Sequence, residues 1–443
     1  MILRSLIFPL LILAIAPGIH CQPSFTEHVI DSSSSTLGVV KMVTADFNND
    51  SFEDVATANI GHDEVAIYLK NATGNYGTRQ VVSNQVDYPA GLAAGDINGD
   101  NWTDLVTFSL IDEKLAWFPN QNGSFSNKQI IDSGYFAPVS VFARDFENNG
   151  TIDIVAIDDT SVSYYNNDGT GNFTFSELAG QTEFYSGGIA DVNGDGFLDV
   201  MLGSSKLYTY INNGDGTFSR DTINEPLINN LIFEIELADI DGDADQDMAL
   251  YFGNIIPYIN WYENDGTGKF SLADTITNNS NDVKSMRLAD LNKDGAAEFV
   301  TAYGQTGELV WMENDGQGNF SSESVIKTYP ILLRRVAVAD VDHDGDMDLF
   351  CGHNSKGLYF WENLMATTRL SEGEQDVKLY PNPTSEVFFL HNTEPGHITA
   401  FNMQGLKLFE KSLSAGANEL HAHLPSGCYL LKWTDGKEVF SGN

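Results

Sequence analysis

Short apolar segments alternate with polar turns along most of the chain. They are rich in Val, Ile, Phe and Tyr, and Gly, Asn or Asp bounds nearly every one of them. Such segments are typical of short β-strands, whereas the spacing of an amphipathic helix is absent. The segments that begin at Gly91, Gly187 and Val336 share one order of features, an apolar run, an acidic loop and a second apolar run. The sequence therefore predicts an all-β protein built from repeats.

Copies of the acidic loop set the period of the repeat at about 49 residues. A glycine-rich turn follows most loops, as in the segments from Tyr165, Trp261 and Trp311. Each unit then holds four short strands, which is the make-up of one blade of a β-propeller. We therefore predict a seven-bladed β-propeller, followed by a small C-terminal β-sandwich. The seven loops open at Asp46, Asp96, Asp145, Asp191, Asp239, Asp290 and Asp340.

The last unit is incomplete and the beginning of the chain supplies its missing strand. The seventh unit stops at Leu364, without the glycine turn and fourth strand of the other units. Residues 25–30 match the segment that follows this turn elsewhere, for example from Phe320. We expect this N-terminal strand to close the last blade of a propeller that spans residues 22–363, which would leave no open sheet edge.

The acidic loops have the composition of calcium sites. Side chains with oxygen atoms occupy positions 1, 3, 5 and 9, and Ca²⁺ takes six to eight oxygen ligands, including a backbone carbonyl at position 7. Position 6 must turn sharply and is glycine in four loops. We expect up to seven structural calcium ions, with weaker binding at the Asp145 and Asp290 loops. The predicted ligands are Asp46, Asn48, Asp50, Asp54, Asp96, Asn98, Asp100, Asp104, Asp145, Glu147, Asn149, Asp153, Asp191, Asn193, Asp195, Asp199, Asp239, Asp241, Asp243, Asp247, Asp290, Asn292, Asp294, Glu298, Asp340, Asp342, Asp344 and Asp348.

The alternative is that these segments are solvated acidic turns without metal. One isolated loop of this kind would leave both interpretations open, but seven copies in register favour metal binding. EF-hand and dockerin loops share the first five positions, and the absence of flanking helices argues against both.

Charge and cysteine content exclude several classes of function. The formal net charge is −39. Proteins that bind nucleic acids or anionic membranes do so through clustered Lys and Arg, so neither is an expected partner. Three cysteines, Cys21, Cys351 and Cys428, are too few and too scattered for a disulfide framework or a zinc site.

The N-terminus has the features of a signal peptide. Arg4 precedes an apolar run from Leu6 to Ala16, and the sequence becomes polar from Gln22. We expect residues 1–21 to be removed on export, and no transmembrane helix in the mature chain. A lipoprotein anchored through Cys21 is the alternative, although the residues before it make a poor lipidation site.

The repeats resemble the FG-GAP or VCBS repeat propellers, the family of the integrin α head domains. The acidic loops and the W-x-E-N-D-G-x-G-x-F-S segments carry this resemblance over about three quarters of the chain. It implies structural calcium on one face of the disc and ligand sites on the opposite face. Members of the family include adhesins, lectin-like proteins and some polysaccharide lyases, so the resemblance indicates a fold more than a function.

Aromatic and basic residues mark the connections expected on the face opposite the calcium loops. Flat aromatic rings stack on sugars, and a few bases on an acidic protein would suit an anionic glycan. The alternative is that each ring packs between blades. The candidate ligand-binding residues are Tyr88, Tyr135, Phe136, Tyr185, Tyr329, Arg334 and Arg335. Phe184 stands beside Tyr185 in the same connection.

The remaining C-terminal residues form a linker, 364–376, and a second domain, 377–443. Its short alternating segments resemble the C-terminal sorting domain of proteins exported by the type IX secretion system of Bacteroidota. The segment from Tyr380 to Pro383 and the turn from Pro425 to Tyr429 carry the resemblance, whereas the basic tail is missing. An ordinary accessory sandwich is the alternative.

These observations favour a secreted, calcium-stabilised propeller on a bacterial surface that binds glycans or extracellular proteins. An enzyme, most plausibly a polysaccharide lyase, is the second hypothesis, and a structural role is the third. His62, His353 and Lys356 are the candidates for a lyase centre near the axis of the disc, and the favoured alternative is that they are ordinary surface residues. No nucleophile elbow, metalloprotease helix or phosphate loop is present.

Overall fold

The computed structural model describes two regions of the chain. In the first it covers residues 23–32, 38–180, 183–223, 230–253, 257–276, 283–330, 333–353 and 357–364. In the second it covers 378–380, 387–392, 396–402, 407–414, 416–421 and 429–434. The predicted signal peptide and nearly all of the predicted linker lie outside these residues. One compact unit spans Ser24–Leu364, and a second contains Met365–Asn443.

The first unit is a seven-bladed β-propeller, as the repeat predicts. Each blade is a four-stranded antiparallel sheet, and successive blades take successive strands of the chain. Asn120–Gln121 and Ser124–Phe125 form a small extra hairpin in the second blade. The strands are β1 (Phe25–Asp31), β2 (Val39–Ala45), β3 (Asp54–Asn59), β4 (Glu64–Tyr68), β5 (Gln80–Ser83), β6 (Pro89–Gly95), β7 (Asp104–Ser109), β8 (Lys114–Phe118), β9 (Asn120–Gln121), β10 (Ser124–Phe125), β11 (Gln129–Ser133), β12 (Pro138–Arg144), β13 (Asp153–Asp158), β14 (Ser161–Asn167), β15 (Phe173–Gly180), β16 (Ser186–Ala190), β17 (Asp199–Gly203), β18 (Leu207–Asn212), β19 (Phe218–Ile223), β20 (Ile232–Ala238), β21 (Asp247–Phe252), β22 (Tyr258–Asn264), β23 (Phe270–Ile276), β24 (Val283–Ala289), β25 (Glu298–Tyr303), β26 (Glu308–Met312), β27 (Ser324–Thr328), β28 (Leu333–Ala339), β29 (Asp348–His353) and β30 (Leu358–Asn363).

The N-terminal strand completes the last blade. β1 pairs antiparallel with β30, from Phe25 opposite Asn363 to Val29 opposite Tyr359. The last sheet therefore has the order β1-β30-β29-β28, and the two ends of the propeller are joined by backbone hydrogen bonds.

Position within the blade decides which residues each strand needs. The second strands are buried along their whole length, as in β7 and β25, because neighbouring blades cover both of their faces. They therefore read as continuous apolar runs. The fourth strands lie at the outer edge and are largely exposed, as in β5 and β23. The apolar core lies between blades rather than inside any one of them.

The glycine-rich turns between third and fourth strands also serve this packing. Gly318 has a φ of 74°, and a Cβ added there would lie 2.2 Å from the Trp261 ring of the preceding blade. The turn needs glycine both for its left-handed backbone and for the close approach of the indole.

The second unit contains two three-stranded antiparallel sheets. Their orders are β31-β32-β35 and β34-β33-β36. The strands are β31 (Lys378–Tyr380), β32 (Val387–Asn392), β33 (Gly396–Asn402), β34 (Lys407–Leu413), β35 (Gly416–His421) and β36 (Tyr429–Thr434). Within the part of the chain that the structure describes, no helix has the length and hydropathy of a membrane span.

Candidate functional site

Each acidic loop joins the first strand of a blade to the second, so all seven lie on one face of the disc. Carboxylates within each loop accept hydrogen bonds from backbone N–H groups of the same loop. In the Asp191 loop, the first carboxylate accepts hydrogen bonds from the backbone N–H groups of Gly194 (2.8 Å), Asp195 (3.2 Å) and Gly196 (2.8 Å). The fifth, Asp195, accepts from the N–H of Phe197 at 2.9 Å. These bonds hold the loop in a tight coil.

Two positions of every loop adopt the left-handed backbone. Position 6 has a φ of 90° at Gly196 and keeps a positive φ at Ser51 (71°) and Ala244 (78°). A side chain in this conformation costs about 1–2 kcal/mol. Position 4 is also left-handed, for instance at Lys293 with a φ of 58°, although the residue types at this position do not predict it.

The ligand positions converge most clearly in two loops. Carboxylate oxygens of Asp239, Asp241 and Asp247 all lie within 4.8 Å of one another, at positions 1, 3 and 9. The same holds for Asp340, Asp342 and Asp344, at positions 1, 3 and 5. Buried oxygens of Asp241 and Asp340 have no hydrogen-bond partner among the described residues. A set made only of oxygen donors, with buried oxygens left unpaired, fits a hard cation such as Ca²⁺.

The carboxylate at position 9 also has a structural role, in addition to any role as a metal ligand. Asp104 is fully buried and uses both oxygens, accepting from the backbone N–H of Ile97 at 3.0 Å and of Asn120 at 2.6 Å. Burial raises the pKa of Asp104 to about 7. The equivalent residue of every loop is fully buried. The two hydrogen bonds of Asp104 fasten its loop to the end of the third strand of the same blade.

An asparagine at the end of the third strand connects each blade to the preceding one. Asn167 donates from Nδ2 to the carbonyl of Ile97, at position 2 of the preceding loop, at 2.7 Å. In the first blade Lys70 replaces asparagine and donates to the carbonyl of Val341 at 2.6 Å, across the closure of the ring. We call these seven contacts the blade clips. The other five run from Asn120 to Phe47, Asn212 to Phe146, Asn264 to Val192, Asn314 to Ile240 and Asn363 to Leu291.

Some neighbouring loops also contact each other directly through position 4. Asn49 donates to the carbonyl of Asn101 at 3.2 Å, and His343 lies 3.0 Å from the carbonyl of Ser51. Lys293 donates to the carbonyl of Asp344 at 2.9 Å. These acidic loops are therefore hydrogen-bonded to one another as well as to the strands of the blades.

Glutamate changes the ninth position of the Asp290 loop. Glu298 accepts from the N–H of Leu291 at 2.7 Å, and its second oxygen accepts from Nδ2 of Asn292 at 3.2 Å. A predicted ligand side chain is thus bonded to another one. Burial raises the pKa of Glu298 to about 8.

The aromatic candidates for ligand binding separate into buried and accessible residues. Tyr135 is 6% exposed, with its ring 4.8 Å from that of Phe108. Tyr329 is 7% exposed and packs at 4.2 Å from the ring of His353. These two tyrosines belong to the packing between blades, as does Phe184, and the expectation that they face a ligand is corrected accordingly.

The other candidates are accessible to different degrees. Phe136 is 62% exposed, while Tyr88, Tyr185, Arg334 and Arg335 are partly buried. Tyr185 and Arg335 line one pocket on the propeller axis, together with Phe233 and Lys41. The structure thus brings together two residues that are far apart in the sequence.

Of the candidate lyase residues, the two histidines lie in the described part of the chain, and they differ in exposure. His353 is fully buried, because Tyr329 and Tyr359 pack against its ring. His62 is exposed, and Lys356 lies outside the described residues.

Comparisons with known proteins agree with this architecture. A search of curated proteins found no match. Among solved structures, a lectin of Agrocybe aegerita is similar, with a TM-score of 0.51 and 19% identity over 70% of this chain and 91% of that chain. Its description concerns recognition of non-reducing terminal N-acetylglucosamine. At this identity the likeness concerns the fold.

Two family models match the sequence. The model described as a secretion system C-terminal sorting domain matches residues 378–442, so the protein is marked for type IX secretion and attachment to the cell surface. The model described as an FG-GAP-like repeat matches residues 46–107, 145–202, 191–250 and 290–351, slightly more than half of the chain. The chain therefore belongs to the FG-GAP-like repeat family.

Proposed function

We propose that this protein is a calcium-stabilised binding module, displayed at the cell surface, whose ligands are glycans or extracellular proteins. The two faces of the disc would have separate functions. The acidic loops would hold calcium and keep the blades in register, and the opposite face would meet the ligand.

Calcium binding is supported by the chemistry of the loops. Asp340, Asp342 and Asp344 bring three carboxylate oxygens together, and the mutual repulsion of such groups is relieved when a divalent cation binds. Residues at positions 1, 3, 5 and 9 would hold the ion. Mg²⁺ demands a smaller, nearly octahedral site, so Ca²⁺ is the better fit.

The observation that carries the binding function is an aromatic pair beside the axial pocket. The rings of Tyr185 and Phe233 are 5.4 Å apart, and Phe233 is 40% exposed. Both residues lie at the beginning of an innermost strand or just before it, away from the acidic loops at the other end. An exposed ring and a partly buried one next to a polar pocket favour contact with sugar rings.

Native affinity electrophoresis tests this function. The secreted full-length protein would be run with calcium through gels that each contain one polysaccharide, and each gel would then be stained for the polymer. Retarded migration with intact stain is the expected result. A Phe233→Ala variant should lose the retardation, and a variant of the exposed Phe175, which lies on β15 at the edge of a blade, should keep it.

The same gels separate the alternatives. Cleared stain would make the protein a depolymerase and overturn the binding assignment. Unchanged migration in every gel would exclude the tested glycans and direct the search to protein ligands.

A further inference from the structure

A polar pocket lies at the axis of the propeller, where the innermost strands of several blades meet. Its volume is about 260 Å³. The lining residues that carry charge are Lys41, Glu234, Glu236, Arg287 and Arg335, from β2, β20, β24 and β28. These strands all run from the opposite face of the disc toward the acidic loops, so the charges lie inside the channel and the rings of Tyr185 and Phe233 lie nearer the opposite face.

Most of these charges neutralise each other. Arg287 donates to Glu236 at 2.8 Å and to Glu234 at 3.1 Å. Arg335 lies 3.4 Å from Glu234 and also donates to the carbonyls of Val40 (2.9 Å) and Lys284 (3.2 Å). Both guanidinium groups therefore have partners, and both carboxylates are already engaged.

Lys41 is the charge without a partner. Its ammonium makes no ion pair or hydrogen bond with any residue that the structure describes. Three cations face two carboxylates in the pocket, so one positive charge is left over, inside a protein of net charge −39. Lys41 is partly exposed, so an anion that enters the pocket can reach its ammonium and supply the missing partner.

We propose that the axial pocket binds the carboxylate group of a small ligand, with the ammonium of Lys41 as its ion-pair partner. The inference rests on the proposed binding function and names the chemistry of its ligand. When both carboxylates are ionised, the pocket has one unbalanced positive charge, which matches a monoanion. The rings of Tyr185 and Phe233 at the pocket favour a carboxylate that is carried on a sugar ring.

Protonation of the pocket gives the binding a defined pH dependence. Burial, reinforced by Arg335, lowers the pKa of Lys41 to about 7, against the opposing effect of Glu234. Burial also raises the pKa of Glu236 to about 7, although Arg287 opposes this shift. As the pH falls through 7, Lys41 gains its charge and Glu236 loses its own. Both changes strengthen the binding of an anion, so affinity should be higher at about pH 6 than at pH 8.5.

Calorimetric titration of the full-length, calcium-loaded protein with D-glucuronate, acetate and D-glucose tests the proposal. Glucuronate should bind, glucose should bind at least about tenfold more weakly, and the affinity for glucuronate should fall from pH 6 to pH 8.5. Tighter binding of glucuronate than of acetate would assign the carboxylate to an acidic sugar, whereas equal binding would assign it to a small organic acid.

Two variants locate the site. Lys41→Met keeps the aliphatic stem and should weaken carboxylate binding at least about tenfold at pH 6. Lys206→Met removes the same charge from an exposed hairpin and should bind like the wild type.

Failure of every carboxylate to bind would overturn the proposal, as would equal binding by Lys41→Met that has a wild-type melting profile. If Lys41→Met does not fold, a pH-independent affinity of the wild type would overturn it. If the carboxylate proposal fails, retarded migration of the protein in a gel that contains a neutral polysaccharide would still support the proposed glycan-binding function.

Discussion

The blade clips give the sharpest prediction about stability, and Asn167→Ala tests one of them. The Nδ2 group of Asn167 donates to the carbonyls of Ile97 at 2.7 Å and Ile152 at 2.9 Å. Its Oδ1 accepts from the N–H groups of Gly169 and Gly171, both at 3.1 Å. The residue is 2% exposed, so water cannot easily replace these bonds. Alanine would remove all four at once.

The expected loss can be worked out from these contacts. A typical hydrogen bond contributes about 1 kcal/mol net, and a buried group left unsatisfied costs about 1–3 kcal/mol. The carbonyl of Ile97 would be left in the buried region between two blades. We therefore expect Asn167→Ala to lower the free energy of unfolding by about 3–5 kcal/mol.

Urea unfolding with calcium present, followed by tryptophan fluorescence and circular dichroism, measures this loss. Asn172→Ala is the matched control, because Asn172 lies in the same hairpin but is exposed and bonds only to Asp168 and Thr170. The control should lose less than about 1 kcal/mol. If both variants lose the same small amount, the blade clips do not hold the propeller together.

Three further predictions concern the ring closure, the metal and pH. Lys70→Met removes the only blade clip made by a lysine in the described residues, and should lower the melting temperature more than Lys206→Met does in parallel scans. Removal of calcium with EDTA should lower the melting temperature by many degrees at pH 7.5, and an unchanged melt would contradict a structural role for the metal. In the metal-free protein, burial raises the pKa of Asp104 to about 7 and of Asp199 to about 6. The folded state therefore binds these protons more tightly than the unfolded chain, whose carboxyl pKa is about 4, and stability must fall as the pH rises from 4 through 7. Urea midpoints of EDTA-treated protein should accordingly be higher at pH 5 than at pH 8, and a rise over that interval would refute the assignment.

Repetition made the fold accessible from the sequence. Seven acidic loops in register specified both the number of blades and the position of each first and second strand. The match between residues 25–30 and the segment from Phe320 identified the strand that closes the ring. Each of these inferences uses a local pattern that recurs, so a single sequence carries its own comparison.

The roles of the loop residues were only partly accessible. Asp104 was expected as a metal ligand, and its second duty of binding two backbone N–H groups depends on a third strand that arrives later in the chain. Asn167 lies in the segment from Tyr165, for which the sequence predicts only a glycine-rich turn. Asparagine recurs at this position before the glycine turns, and that recurrence is the sequence signal for the blade clip. The partner carbonyl of Ile97 lies in another blade, and no residue type marks it in the sequence.

Side-chain exposure and the axial pocket were beyond the sequence. Tyr135 and Tyr185 occupy similar connections, yet one packs between blades and the other reaches the pocket, because the depth of each ring depends on the neighbouring blade. Lys41 and Arg335 come from opposite ends of the propeller sequence. Only closure of the ring brings them into one channel.

Calcium titration of the metal-free, full-length protein, with the melting temperature recorded at each step, tests the central claim most directly. We predict several bound calcium ions per chain, a melting temperature that rises with occupancy, and much weaker effects of magnesium. Absence of calcium binding, or binding that leaves the melting temperature unchanged, would contradict a calcium-stabilised propeller.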